Sequence, residues 1–120
     1  MVVPEPQQEL PTIEVVEAPQ GCAQYLPLVE QYDWDARVML AIMEAESHCK
    51  TDAVGDTWEI GGIYAPSCGL FQVRTIAEWR GTCEQLQEPA FNIDTAYKVY
   101  QGQGYSAWSV YNNGTYKKYY

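Results

Sequence analysis

Residues 36–48 carry the clearest pattern of apolar and polar positions in the chain. The apolar side chains that fall on one helical face there are Val38, Met39, Ile42, Met43 and Ala45. The preceding segment Asp33-Trp34-Asp35 offers N-cap residues for a helix. The pattern therefore predicts an amphipathic helix over residues 36–48.

Weaker patterns predict further short helices and little strand. We expect helices over about Ala23–Tyr32, Ile76–Arg80, Phe91–Gly102 and Ser106–Tyr111. Thr75 and Glu78 have the spacing of a capping box. Residues 50–68 read as a loop, and Gly69–Val73 is short and able to form a strand. Together these elements predict a mainly α (α+β) domain with one short β excursion.

The first 20 residues differ from the rest in composition. They hold four glutamates, four of the seven prolines and no lysine or arginine, whereas all Cys, Trp, Tyr and Phe residues lie in 21–120. Such a composition cannot bury a core. We expect residues 1–20 to be a disordered acidic tail, either a linker or tether remnant or a segment without function, and residues 21–120 to be one domain.

The chain is acidic, with 16 Asp and Glu against 7 Lys and Arg and a net charge of −9. This balance argues against nucleic acid and against an anionic lipid surface as partners. No run of about 18–20 apolar residues is present, so we expect no membrane span. Met1 is followed by neither a basic nor a long apolar region, so we expect no intact signal peptide.

Four cysteines, Cys22, Cys49, Cys68 and Cys83, are spaced without a C-x-x-C pair, and His48 is the only histidine. This spacing does not suit a zinc site, and we expect no metal and no cofactor. An even number of cysteines predicts two disulfides, and with them a secreted, cell-surface or periplasmic location. Three pairings are possible, of which we favour Cys49–Cys68 with Cys22–Cys83.

Glu46 is a carboxylate on the apolar face of the 36–48 helix, three residues after Met43 and four after Ile42. Burial disfavours its charged form, and the nearby helix C-terminus does the same, so both predict a raised pKa. A carboxyl that stays protonated near neutral pH is suited to general acid catalysis. The alternative is a structural acid that pairs with His48 or Lys50.

Four motifs occur in a fixed order along the chain. They are Glu46-Ser47 at a helix end, Gly69-Leu70-Phe71-Gln72-Val73, Pro89-x-x-Asn92-Ile93, and Trp108-Ser109-Val110-Tyr111-Asn112-Asn113-Gly114. Over about Cys22 to Gly114 this order resembles the lysozyme-like superfamily, in particular its soluble lytic transglycosylase and goose-type lysozyme branch. The resemblance implies a lysozyme-like fold with a sugar-binding cleft.

The resemblance also implies roles for single residues. It makes Glu46 the catalytic acid, Ser47 a residue that orients the site, and Gln72 a residue lining the cleft. Tyr111 would lie close to the catalytic carboxyl, with Asn112 beside it in the cleft. The implied substrate is peptidoglycan or a related β-1,4 amino-sugar glycan, cut between N-acetylmuramic acid and N-acetylglucosamine, and we expect a monomeric enzyme.

A second carboxylate would be needed for hydrolysis through two acids. Asp52, Asp56 and Glu59 follow in the 50–68 loop and could supply it. Lytic transglycosylases of the resembled family instead let the C6 hydroxyl of the substrate close on C1. The sequence leaves lytic transglycosylase and muramidase both open.

Two other readings compete with an enzyme. One is a catalytically inactive sugar-binding domain that keeps the fold, and the other is a small interaction domain whose tail does the work. The acidic charge favours the first of them, because it opposes approach to an anionic wall. Exposed aromatic side chains could stack on sugars in either an enzyme or a binding domain, and the candidates are Trp58, Tyr64, Trp79, Tyr105 and Trp108.

Overall fold

The computed structural model describes residues 21–120, and the tail predicted over residues 1–20 lies outside the described residues. The helices in chain order are a 3-10 helix Gly21–Tyr25, α1 Leu26–Val29, α2 Ala36–Ser47, a 3-10 helix Glu78–Arg80, α3 Cys83–Leu86, α4 Pro89–Gln103, a 3-10 helix Gly104–Ala107, α5 Ser109–Asn112, and a 3-10 helix Thr115–Tyr119. The predicted mainly α fold is confirmed. Within the described part of the chain, no helix is long and apolar enough to cross a membrane.

Five two-residue strands lie between α2 and α3. They are β1 Val54–Gly55, β2 Glu59–Ile60, β3 Ile63–Tyr64, β4 Ser67–Cys68 and β5 Val73–Arg74. β4 pairs antiparallel with both β1 and β5, and β2 and β3 form a separate hairpin. The β excursion thus begins earlier than predicted, inside the segment expected to be a loop.

The segment predicted as a strand over Gly69–Val73 is mostly a turn. Gly69 and Gln72 both have positive φ, 79° and 49°, which a strand does not allow. A Cβ at Gly69 would collide with the Leu86 carbonyl and the Asn92 amide, so this position requires glycine. Only Val73 of the predicted segment enters a strand.

The capping box predicted at Thr75 and Glu78 does not form. The Thr75 hydroxyl donates to the carbonyl of Pro66 instead, and the following helix is a 3-10 turn without a side-chain cap. A capping box does form at the start of α3, between Thr82 and Gln85. A threonine therefore caps a helix seven residues later than predicted, directly after the turn at Gly81.

The long helices are capped by acidic side chains. Asp35 accepts from the backbone N–H groups of Arg37 and Val38 at the start of α2. Glu88 accepts from the Phe91 N–H at 2.8 Å, so α4 begins at Pro89, earlier than predicted. Proline suits the first helical turn because the N–H it lacks would have no helical partner there.

The disulfides are Cys22–Cys49 and Cys68–Cys83, with Cα separations of 5.2 and 5.4 Å. The favoured pairing of Cys49 with Cys68 and Cys22 with Cys83 is wrong. The 3-10 helix that holds Cys22 packs against α2, and Cys49 lies two residues after the end of α2. β4, which holds Cys68, packs against α3, whose first residue is Cys83.

The core lies where α2, α4 and the β4–β5 turn meet. Its largest fully buried side chains include Met39, Ile42, Met43, Leu70 and Phe71. Burial of each large apolar side chain favours folding by about 1.5–3 kcal/mol. The apolar face predicted for α2 is thus its core face.

Asn92 is a fully buried polar residue in the first turn of α4. Its Oδ1 accepts from the Phe71 N–H at 2.9 Å, and its Nδ2 donates to the carbonyls of Cys68 at 2.9 Å and Leu86 at 2.8 Å. One side chain therefore joins α4, the β4–β5 turn and the end of α3.

We predict that Asn92→Ala lowers the free energy of unfolding by about 3–5 kcal/mol, because it leaves buried backbone groups without partners. Urea unfolding of the disulfide-bonded protein measures this. Asn113→Ala is the matched control, since Asn113 makes one bond, to the Thr115 N–H, at the surface. Equal losses for the two variants would contradict the role given to Asn92.

Candidate active site

A cavity of about 210 Å³ lies between the end of α2, the β4–β5 sheet and the segment after α4. Its lining combines acidic, basic and neutral polar side chains with a few apolar ones. The residues that line it are Glu46, Asp56, Ser67, Gln72, Val73, Arg74, Arg80, Val99, Ala107, Trp108 and Ser109. Two of the acids and one of the binding residues predicted from the sequence are therefore brought together here.

Glu46 reaches the cavity from the last turn of α2 and is half-buried. Burial is the main cause that raises its pKa, and the negative charge of Asp56 adds to it, so that the pKa is about 7. Neither His48 nor Lys50, the alternative partners, pairs with Glu46: the ion pairs among residues 21–120 join His48 to Glu44 at 3.4 Å and Lys98 to Asp94. Glu46 therefore keeps its proton to a higher pH than an exposed glutamate does.

Asp56 lies in the turn between β1 and β2, with a left-handed φ of 53°. The hydroxyl of Ser67 in β4 donates to its Oδ2 and fixes the carboxylate in the cavity wall. Of the three acids considered as partners for Glu46, Asp56 alone lines the cavity. Asp52 and Glu59 are exposed outside it.

Gln72 lines the cavity and also holds its floor together. Its Nε2 donates to the carbonyls of Ala53 and Gly69, both at 3.0 Å. A Cβ at Gly55 would lie 2.7 Å from the Gln72 Oε1, so a larger residue there would displace the Gln72 amide. With both amide hydrogens used, Oε1 is the atom left for a ligand.

Ser47 lies outside the lining of this cavity. Its Oγ donates to the Met43 carbonyl at 3.2 Å and accepts from the Cys49 N–H at 3.1 Å. These bonds support the chain reversal after α2, where His48 and Cys49 have positive φ. Ser47 therefore acts on the helix end that carries Glu46.

Tyr111 and Asn112 also lie outside the lining. The Tyr111 ring stacks between Tyr105 at 5.1 Å and Tyr116 at 4.9 Å between ring centroids. The Asn112 amide donates to the Ser106 carbonyl at 2.9 Å. Both side chains are held by neighbours in the C-terminal segment.

The aromatic candidates divide into an exposed and an enclosed group, and Tyr105 belongs to the enclosed one because its ring packs against Tyr100 and Tyr111. Trp58, Tyr64 and Trp79 are each more than half exposed. Trp108 is buried, lines the cavity and donates from Nε1 to the Phe71 carbonyl at 3.0 Å. Only the first group presents open ring faces to a ligand.

Sequence reasoning missed Arg74, Arg80, Ser67 and Ser109. Arg74 carried no signal of strand alternation, because Gln72, two residues before it, has positive φ and lies in the turn before β5. Arg80 carried no such signal, since a 3-10 turn brings it back to the cavity.

One group of possible metal ligands occurs among residues 21–120, made of Cys22, Glu44 and Cys49. Its two sulfurs are joined to each other in a disulfide and offer no thiolate. The group does not include Glu46 or Asp56.

We predict that Glu46→Gln changes the free energy of unfolding more favourably at pH 8 than at pH 4. The folded pKa of about 7 lies above the ordinary 4.5, so the folded state loses stability as pH rises between these values. The Gln variant escapes this loss, which is on the order of 2–3 kcal/mol. Urea unfolding at pH 4 and pH 8 measures it. A difference between the two proteins that is the same at both pH values would contradict the raised pKa.

Comparison with known proteins adds an independent observation. Residues 31–110, which are 80 of the 120 residues, match the model of the family described as lysozyme-like domain. The matched region includes every residue that lines the cavity. Comparisons with curated proteins and with solved structures give no match. The chain belongs to the lysozyme-like domain family.

Proposed function

We propose that this protein is a peptidoglycan-cleaving glycosidase that cuts the β-1,4 bond between N-acetylmuramic acid and N-acetylglucosamine, with Glu46 as general acid. The observation that carries the proposal is a half-buried carboxyl with a pKa of about 7 that lines a cavity. Membership of the lysozyme-like domain family supports the choice of substrate.

Cleavage begins with proton transfer from Glu46 to the glycosidic oxygen. The bond between that oxygen and C1 breaks, the leaving sugar keeps the proton, and positive charge develops on C1 and the ring oxygen. The carboxylate of Asp56, on the same cavity wall, stabilises that charge electrostatically. Gln72 Oε1 accepts a hydrogen bond from a hydroxyl or N-acetyl N–H of the sugar.

Two fates of the C1 cation fit this cavity. In hydrolysis, Asp56 takes a proton from a water that adds to C1, and a reducing sugar results. In lytic transglycosylation, the substrate's own C6 hydroxyl adds to C1 and loses its proton to the Glu46 carboxylate, which gives a 1,6-anhydro sugar. The second fate needs no further carboxylate.

An inactive sugar-binding domain remains the second candidate. The resemblance implies site roles for Ser47, Tyr111 and Asn112. The observation that favours an inactive domain is that all three lie outside the cavity lining. The products of incubation with peptidoglycan separate the two candidates.

The proposal includes an extracytoplasmic location. Two disulfides tie the described domain together, and disulfides persist in oxidising compartments. We infer that the protein acts outside the cytoplasm and that residues 21–120 form its catalytic domain.

We predict that Glu46→Gln lowers the rate of release of soluble muropeptides about 10²–10⁴-fold, the usual contribution of a general acid. Glu44→Gln is the matched control, because Glu44 lies on the same helix outside the cavity and should leave the rate unchanged. Liquid chromatography with mass spectrometry of digested peptidoglycan measures the release. Full activity in Glu46→Gln would falsify the assignment.

We also predict that activity falls as pH rises through about 7, because Glu46 loses the proton that it donates. Asp56→Asn removes the negative charge that helps to raise the pKa of Glu46, so it moves this fall to lower pH. If the products lack one water, as 1,6-anhydro sugars do, Asp56→Asn keeps measurable activity. If they are reducing sugars, Asp56→Asn loses it. An unmoved alkaline limb in an active Asp56→Asn would contradict the coupling.

A further inference from the structure

Two of the seven cationic side chains of this acidic protein, Arg74 and Arg80, line the same cavity as Glu46 and Asp56. The ion pairs among residues 21–120 join Glu44 to His48 and Asp94 to Lys98. No described carboxylate therefore pairs with either arginine of the cavity, even though two carboxylates share its wall.

The guanidinium of Arg74 donates its hydrogen bonds within the fold. Its Nε donates to the Ala65 carbonyl at 3.0 Å, and its Nη2 donates to the Ile63 carbonyl at 3.4 Å. These bonds attach the β2–β3 hairpin to β5. Its role is therefore to position the hairpin beside the cavity.

The guanidinium of Arg80 makes fewer hydrogen bonds within the fold. A single long bond joins its Nη1 to the Arg74 carbonyl at 3.3 Å. Its Nε is buried and, among the described residues, is the one buried side-chain nitrogen or oxygen without a hydrogen-bond partner. Burial lowers the pKa of Arg80, and no ion pair among residues 21–120 involves its guanidinium. An unsatisfied buried donor of this kind is costly, and it marks a guanidinium to which the fold supplies too few acceptors.

We propose that Arg80 binds a carboxylate of the substrate in the cavity, and that the protein thereby selects an anionic amino-sugar glycan over a neutral one. The inference rests on the proposed function for the identity of the glycan. The planar guanidinium matches a carboxylate with two parallel hydrogen bonds, which are stronger when both partners are charged. Glu46 and Asp56 would otherwise repel an anionic chain.

The neighbouring Trp79 keeps the guanidinium in place. The Arg80 Cζ lies 5.2 Å from the centroid of the Trp79 ring, and that ring is 56% exposed. The exposed ring extends the binding surface from Arg80 toward solvent. The sugar chain lies over Glu46, and its acidic substituent reaches Arg80.

Two carboxylates of peptidoglycan have this chemistry. One is the lactyl carboxylate of muramic acid where no peptide is attached, and the other is a free carboxylate of the attached peptide. Both are negatively charged groups borne by the same sugar. A fragment with its peptide and a fragment without it distinguish the two sources.

The test is a binding measurement with the full chain carrying Glu46→Gln, so that the glycan is not consumed. The ligands are a peptidoglycan tetrasaccharide with its peptides, the same fragment without them, and each fragment with its carboxylates converted to methylamides. Isothermal titration gives the dissociation constants. The added variants are Arg80→Gln, Arg80→Lys and, as a charge-matched control, Lys98→Gln, whose side chain is 59% exposed outside the cavity.

We expect Arg80→Gln to raise the dissociation constant for a carboxylate-bearing fragment about tenfold, equivalent to ~1.4 kcal/mol. Binding of the methylamide fragment should not change, and Lys98→Gln should bind both as before. Arg80→Lys keeps the charge without the planar pair of donors, so it should lie between the two. It also keeps the test valid if Arg80→Gln does not fold.

The fragment whose binding depends on Arg80 identifies the carboxylate. Equal weakening for the acid and the methylamide, no weakening for either, or no binding of any carboxylate fragment would overturn the proposal. Binding that depends on Arg80, together with a wild-type protein that releases no product, would instead overturn the proposed catalysis and leave the carboxylate site standing.

Discussion

The structure depends on the side-chain amide of Asn92. Its three hydrogen bonds connect the start of α4 to the β4–β5 turn and to the end of α3. No apolar side chain could satisfy one donor and two acceptors at this point, and water has no access to it. The close approach of Gly69 to the same amide shows how little space the turn leaves. A buried polar residue here fixes how the β excursion sits on the helices.

The hydrogen bonds of Asn92 also determine the geometry of the cavity. Phe71 donates its N–H to Asn92 and accepts from the Trp108 indole through its carbonyl, so one residue is held on both sides. The next residue is Gln72, whose amide secures β1 and with it the chain that leads to Asp56. Glu46 enters from α2, whose core face packs beneath this turn. Glu46 and Asp56 line one cavity because α2 and the chain around β1 both pack on the turn that holds Phe71 and Gln72.

The sequence predicted those parts that depend on local periodicity or on motif order. The position of Glu46 on the inner face of α2 was predicted, because helical spacing places it beside Met43 and Ile42 on an apolar face. Asp56 could not be separated from Asp52 and Glu59, since the left-handed turn and the hydroxyl of Ser67 that select it are tertiary features. The disulfides paired differently from the favoured scheme, because chain packing and not spacing decides which sulfurs meet.

The two disulfides also decide how the domain would respond to a pulling force. A pull between the chain ends passes from Cys22 directly to Cys49, and later from Cys68 directly to Cys83. The segments between these residues carry no tension, and they contain Glu46 in the first loop and Gln72, Arg74 and Arg80 in the second. Asp56 lies in the segment between the loops, which does bear the load. A force applied at the two chain ends would therefore extend the segment that holds Asp56, whereas the Cys22–Cys49 disulfide shields the helix that holds Glu46.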